Sequence, residues 1–116
     1  MRLAFIAFAT GAALAYALAP SLAENRAASV TIDNFVFEPG RLTVRAGTTV
    51  TWTNRDDIPH NVRSKDALFK SGVMDTDGSF SFTFATPGEY TYFCGLHPHM
   101  TGTIVVEGTA GSGATP

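Results

Sequence analysis

The chain has one cysteine, Cys94, among 116 residues, so no internal disulfide can form. It is also poor in charge. Eight Lys and Arg face ten Asp and Glu, for a formal net charge of −2, and no basic stripe gathers them. That excludes the electrostatic footprint of a nucleic-acid partner. Nothing after residue 28 repeats apolar residues at helical spacing, which argues against a helical bundle. There is no internal repeat.

One long apolar run is present, and it sits at the start. Residues 3–23 carry no charged side chain, Arg2 precedes them, and Ser21-Leu22-Ala23 supplies a small-x-small ending. A charged start, an apolar centre and a small-residue cut site form a secretory signal. We expect residues 1–23 to be a signal peptide cleaved after Ala23, with no stable membrane insertion once it is removed. Residues 24–107 are then one domain and 108–116 a Gly/Ser/Ala-rich flexible tail. Export places the protein in the periplasm, where a lone thiol either stays reactive or is put to use.

From Ser29 onward the chain is rich in Val, Thr, Phe and Tyr, alternating with polar residues and cut by turn residues. Glu38-Pro39-Gly40, Ala46-Gly47, Asp75-Thr76-Asp77-Gly78 and Thr86-Pro87-Gly88-Glu89 are the turns. Val30 and Ile32 open a first strand, with Phe35 and Phe37 as an irregular continuation. Phe80, Phe82 and Phe84 share one face of a later strand and read as core. This predicts an all-β fold, an antiparallel Greek-key sandwich or barrel of seven to eight strands.

The soft donors are concentrated in Tyr92-Phe93-Cys94-Gly95-Leu96-His97-Pro98-His99-Met100-Thr101-Gly102. This loop between two strands holds the only Cys and two of the three His. Thiolate and thioether suit copper, and imidazole suits both of its oxidation states. His60, in the polar loop 54–59 and beyond, is the remaining imidazole, and a sandwich can bring the two loops together at one end. The set His60, Cys94, His97 and Met100 therefore reads as a site for one copper ion cycling between Cu(I) and Cu(II). Zinc is a rival, but Met is a poor zinc ligand. A Cys94–His97 nucleophile is another, though no orienting carboxylate stands beside the pair in the sequence. Three histidines are too few for a type 1 site plus a trinuclear cluster.

These residues carry a resemblance. Gly47-Thr48-Thr49-Val50-Thr51-Trp52-Thr53-Asn54-Arg55, Pro59-His60-Asn61-Val62 and Thr86-Pro87-Gly88-Glu89-Tyr90-Thr91-Tyr92-Phe93-Cys94, completed by Cys-x2-His-x2-Met, resemble the cupredoxins over residues 30–107. The short ligand loop is similar to that of the amicyanin-like kind. The resemblance implies a monomeric type 1 blue copper protein, not an enzyme. His60, Cys94 and His97 would be the strong ligands, Met100 the axial one, and the edge of His97 the electron port. It also implies a redox donor and acceptor, by family analogy a quinoprotein amine dehydrogenase and a c-type cytochrome. Copper delivery or buffering is the alternative role. One departure stands out: His99 occupies the place of an aromatic Phe. We expect it to face solvent, because its neighbours already point inward. Asn61 is either a plain turn residue or a tie between the two ligand loops. The acids Asp56, Asp57, Asp75 and Asp77 read as turn formers and solvated charge, and Arg55, Arg63, Lys65 and Lys70 as charges able to steer an acidic partner.

Overall fold

A computed structural model describes residues 26–108. The expected signal peptide, its cleavage point and nearly all of the expected tail lie outside them. Eight strands follow in order: β1 (Ala27–Asp33), β2 (Val36–Glu38), β3 (Arg41–Arg45), β4 (Thr48–Asn54), β5 (Arg63–Ser64), β6 (Ser79–Phe84), β7 (Gly88–Phe93) and β8 (Thr101–Glu107). They form two four-stranded sheets, β2-β1-β4-β6 and β3-β8-β7-β5.

The all-β sandwich is as expected, but the sheets are mixed rather than antiparallel. β1 pairs with β4, and β3 with β8, in parallel. The reason is the route of the chain between layers. β1 and β2 form a hairpin, the chain then crosses to the second sheet for β3, and the Ala46-Gly47 turn returns it beside β1 in the same direction. Period-two alternation is the same in parallel and antiparallel strands, so it does not reveal such a crossover.

Alternation does place the core. In β4, Thr48, Val50, Trp52 and Asn54 point inward and are buried. Trp52 lies between the sheets against Phe69, Phe80, Phe84 and Tyr92, with ring centroids 5.3–6.4 Å apart. Each such buried side chain contributes about 1.5–3 kcal/mol. Of the three expected core phenylalanines, Phe84 is fully buried, while Phe80 and Phe82 are half-buried because β6 is an edge strand. The Tyr92 ring lies flat over Gly102 on the neighbouring strand and leaves no room there for a side chain.

Residues 65–74 form no regular strand. Ser64 closes a loop on Phe69 through its backbone and hydroxyl, dropping Phe69 into the core. Met74 then bridges back to His60. The core thus reaches the end of the sandwich where the histidine- and cysteine-bearing loops meet.

Candidate metal centre

The first ligand loop starts from Asn54, the last inward residue of β4. Its buried amide donates to the carbonyls of Ile58 (2.9 Å) and Met74 (3.0 Å), and its Oδ1 accepts the Asp56 N–H (2.9 Å). Asn54 therefore folds residues 55–60 back over the end of the core. His60 is fully buried there, and its backbone makes both hydrogen bonds to Met74, at 3.2 and 2.8 Å.

The second loop leaves β7 at Phe93. It is closed by its own backbone: Cys94 N–H to Met100 O (3.1 Å), His97 N–H to Cys94 O (3.2 Å) and Met100 N–H to His97 O (2.9 Å). Two successive tight turns bring Cys94 and His97 to one side. Cys94 Sγ lies 3.7 Å from His60 Nδ1 and 3.8 Å from His97 Nδ1. The three donor atoms all lie within 4.8 Å of one another.

That spacing fits a shared metal ion. Bonds of about 2.0 Å to imidazole and 2.3 Å to thiolate, opened to roughly 120°, set N and S about 3.8 Å apart. Two imidazoles and one soft thiolate form the trigonal set that suits copper. Burial of Cys94 counts against a nucleophile, since no substrate reaches a fully buried sulfur.

Asp56 belongs to the centre, although its sequence context suggested only solvated charge. It is buried, and its Oδ2 lies 2.9 Å from His60 Nε2. A carboxylate on Nε2 fixes the ring tautomer and leaves Nδ1 free to face the thiolate. The hydrogen bond from His60, and after it the Phe35 N–H, holds the Asp56 carboxyl below the ordinary value of 3.8. The signal was an acid four residues before a histidine, in a loop where turn-forming acids are common.

Phe35 is the second unexpected participant. It lies outside both neighbouring strands at φ 62°, after Asn34 at φ 51°, conformations that cost a bulky residue energy. Its N–H donates to Asp56 Oδ2 (3.0 Å), which holds the turn. Its ring meets His60 and His97 edge-on at 5.4 and 5.0 Å. Asn61 does tie the two loops. Its backbone N–H points at Cys94 Sγ (3.5 Å), and its Oδ1 accepts the Gly95 N–H (2.5 Å). Met100 is buried and closes the loop through its main chain, while His99 is exposed and outside the donor group, as expected.

Residues 3–106 match the cupredoxin-like domain family. The chain belongs to the cupredoxins. Amicyanin-alpha of Methylorubrum extorquens is 36% identical over 116 residues, covering 90% of this chain and 93% of that protein. Amicyanin of Paracoccus denitrificans is 38% identical over 111 residues, covering 85% of each. Among solved structures, a purple cupredoxin from Nitrosopumilus maritimus superposes with a TM-score of 0.67 at 35% identity, over 69% of this chain and 99% of that one. This cupredoxin is amicyanin-like, and one copper ion is the cofactor its donors suit.

Proposed function

We propose that this cupredoxin is an exported, periplasmic one-electron carrier, with His60, Cys94 and His97 as the strong copper ligands and Met100 as the axial one. Bound copper supplies the Cu(I)/Cu(II) couple. The observation that carries the reading is that the chain's own hydrogen bonds fix the donors. Asp56 and the Met74 backbone hold His60, the Asn61 N–H and loop backbone hold Cys94, and two turn bonds hold His97. Donors that hold still when the charge at their centre changes keep reorganisation small. The Asn61 N–H directed at Sγ stabilises negative charge on the thiolate, and such contacts tune the potential. His97 is half-buried and sits beside exposed Leu96 and Pro98, which gives electrons a short way out. By family analogy the donor is an amine dehydrogenase and the acceptor a c-type cytochrome.

The test is spectroscopic and kinetic. Oxidised copper-loaded protein is expected to show intense thiolate-to-copper absorption and a type 1 paramagnetic resonance signal, and to exchange single electrons reversibly. A colourless tetragonal Cu(II) spectrum would sink the assignment. Rapid, complete surrender of Cu(I) to an apo-acceptor would point to copper delivery instead. For the axial ligand, Met100→Leu is expected to keep the colour and raise the potential; an unchanged potential would remove Met100 from that role.

A further inference from the structure

Two open sheets end in four edge strands, and each edge is a row of backbone N–H and C=O groups able to pair with another chain. Three of these edges are guarded. β2 is three residues long and runs from Glu38 into Pro39. β3 carries Arg41 and Arg45, and β5 consists of Arg63 and Ser64 alone. Shortness, charge and proline are the devices that keep an edge from pairing. The fourth edge, β6, has none of them. Ser79-Phe80-Ser81-Phe82-Thr83-Phe84 is six residues long, and residues 78–88 carry no charge.

The register shows which of its groups lie open. The Asn54 N–H donates to the Gly78 carbonyl (2.9 Å), and bonded positions recur at every second residue of an antiparallel pair. Phe80 and Phe82 therefore bond to β4, while Ser79, Ser81 and Thr83 aim their N–H and C=O groups away from it. Among the described residues, 79–83 make no backbone hydrogen bond beyond the β4 pairing. On the outer face, the Ser81 and Thr83 hydroxyls bond to those of Thr51 and Thr49, both at 2.7 Å. On the inner face, Phe80 packs on Trp52 and Phe82 on Phe69, yet both stay half-buried at the open side of the sheet.

This edge is its own complement. A two-fold axis at Ser81 sets Ser81 opposite Ser81, Ser79 opposite Thr83 and Phe80 opposite Phe82. Opposite residues share a face, so hydroxyls meet hydroxyls, rings meet rings, and no charge is buried. The outward residues of the two copies exchange about six backbone hydrogen bonds. The contact uses the same patch on both copies and leaves neither β6 edge free, so it closes at two.

We propose that β6 is a self-association edge, at which two copies of this chain join antiparallel and merge their four-stranded sheets into one. This departs from the monomer that the family resemblance implies, and it does not depend on the role of the metal. Ser79 lies at the end of the sandwich that holds His60, and Phe84 at the other. The two-fold therefore sets the metal centres at opposite ends of the pair and leaves His97 uncovered on both. So short a seam belongs with transient interfaces of less than about 1,200 Å², so association depends on concentration.

The test is analytical ultracentrifugation of the copper-loaded protein from micromolar to millimolar concentration, with amide hydrogen exchange followed over the same range. A reversible monomer–dimer equilibrium is expected. Exchange at Ser79, Ser81 and Thr83 is expected to slow as the dimer fills, while Phe80 and Phe82, already bonded to β4, stay unchanged. Ser81→Pro removes an outward N–H, which an edge strand tolerates, and is expected to weaken association at least about tenfold. Ser79→Lys with Thr83→Lys sets like charges opposite each other and is expected to weaken it as well. Ser79→Lys with Thr83→Glu sets unlike charges at both crossings and is expected to restore it at low salt. Retained thermal stability checks the fold of each variant, and exchange in the wild type needs no variant. A wild type that stays monomeric at millimolar concentration would overturn the proposal. So would a dimer that survives Ser81→Pro, or growth past two copies into thioflavin-binding fibres. Protection at 79, 81 and 83 that ignores concentration would mean that the chain's own remaining residues cover the edge, and would overturn it too. Equal association of the Lys–Lys and Lys–Glu variants would overturn the two-fold register.

Discussion

His60 and His97 offer the same atom, Nδ1, to the same sulfur at nearly the same distance, yet their surroundings differ. His60 is fully buried and held at both ends, by Asp56 on Nε2 and by Met74 on its backbone. His97 is half-buried in a seven-residue loop, and among the described residues its Nε2 has no protein hydrogen-bond partner. One imidazole is fixed by the core, and the other by two turns and by the edge of Phe35. The centre therefore has a rigid inner wall and a lighter outer door. The first serves geometry and the second serves access.

The largest predicted effect removes what the two histidines share. Cys94→Ser takes away the soft thiolate, so the intense charge-transfer absorption is expected to vanish while the fold persists, because Ser and Cys are close in volume. Colour retained in that variant, measured by absorption spectroscopy, would mean that another donor carries the band.

A matched pair of deletions tests the asymmetry itself. His97→Gly is expected to lose the type 1 spectrum and regain it on addition of millimolar imidazole, which can enter from solvent beside Leu96 and Pro98. His60→Gly is expected to lose it without rescue, because Phe35 and the Met74 segment enclose that position. Truncating so large a buried group also carries a cavity cost of about 2–5 kcal/mol. Equal rescue of both variants would show that His60 is no more enclosed than His97.

Asp56→Asn acts first on the inner wall, at His60 Nε2, and secondarily on the Phe35 turn. The amide keeps the shape but loses the charged acceptor, and copper affinity is expected to fall about 10–100-fold, the usual effect of losing an outer carboxylate. Competition against a Cu(I) chelator measures this. Copper-free protein gives a second reading. A carboxyl held below 3.8 in the folded state contributes stability that is present above that pH and is lost as the pH falls through its depressed value. The Asp56→Asn variant lacks that contribution at every pH, so wild type and variant should converge in stability as the pH falls below 3.8. Parallel acid-unfolding curves would show that Asp56 is not coupled to the fold.

The same contrast explains what the sequence made legible. The outer loop is local: Cys94, His97 and Met100 lie within seven residues, and their spacing can be read directly. The sandwich was legible because period-two alternation marks buried faces in Val50, Trp52, Tyr92 and Phe84. The inner wall was not. Asp56 lies in a run of turn-forming polar residues, and only the Asn54 hydrogen bonds, which depend on Met74 returning from 20 residues away, bury it. Phe35 looked like a strand residue because its apolar character fits alternation with Phe37, whereas a turn with two positive φ values throws it across the histidines. Parallel pairing of β1 with β4 is likewise a property of the chain's route between layers, which no local pattern encodes.

The smallest predicted effect concerns the third histidine. His99 is two residues from His97 and adjacent to Met100, so by sequence it is as close to the centre as any donor. It is exposed and lies outside the group formed by His60, Cys94 and His97. The turn closed by the Met100 N–H on the His97 carbonyl puts Pro98 and His99 at its outer corner, and both are exposed. His99→Ala should therefore leave the absorption spectrum, the resonance signal and copper retention as in the wild type. A surface substitution of this kind is expected to change stability by no more than about 0.5 kcal/mol. Loss of colour in His99→Ala would show that the outer door carries two imidazoles rather than one. That result would remove the asymmetry between the inner and outer sides of the centre.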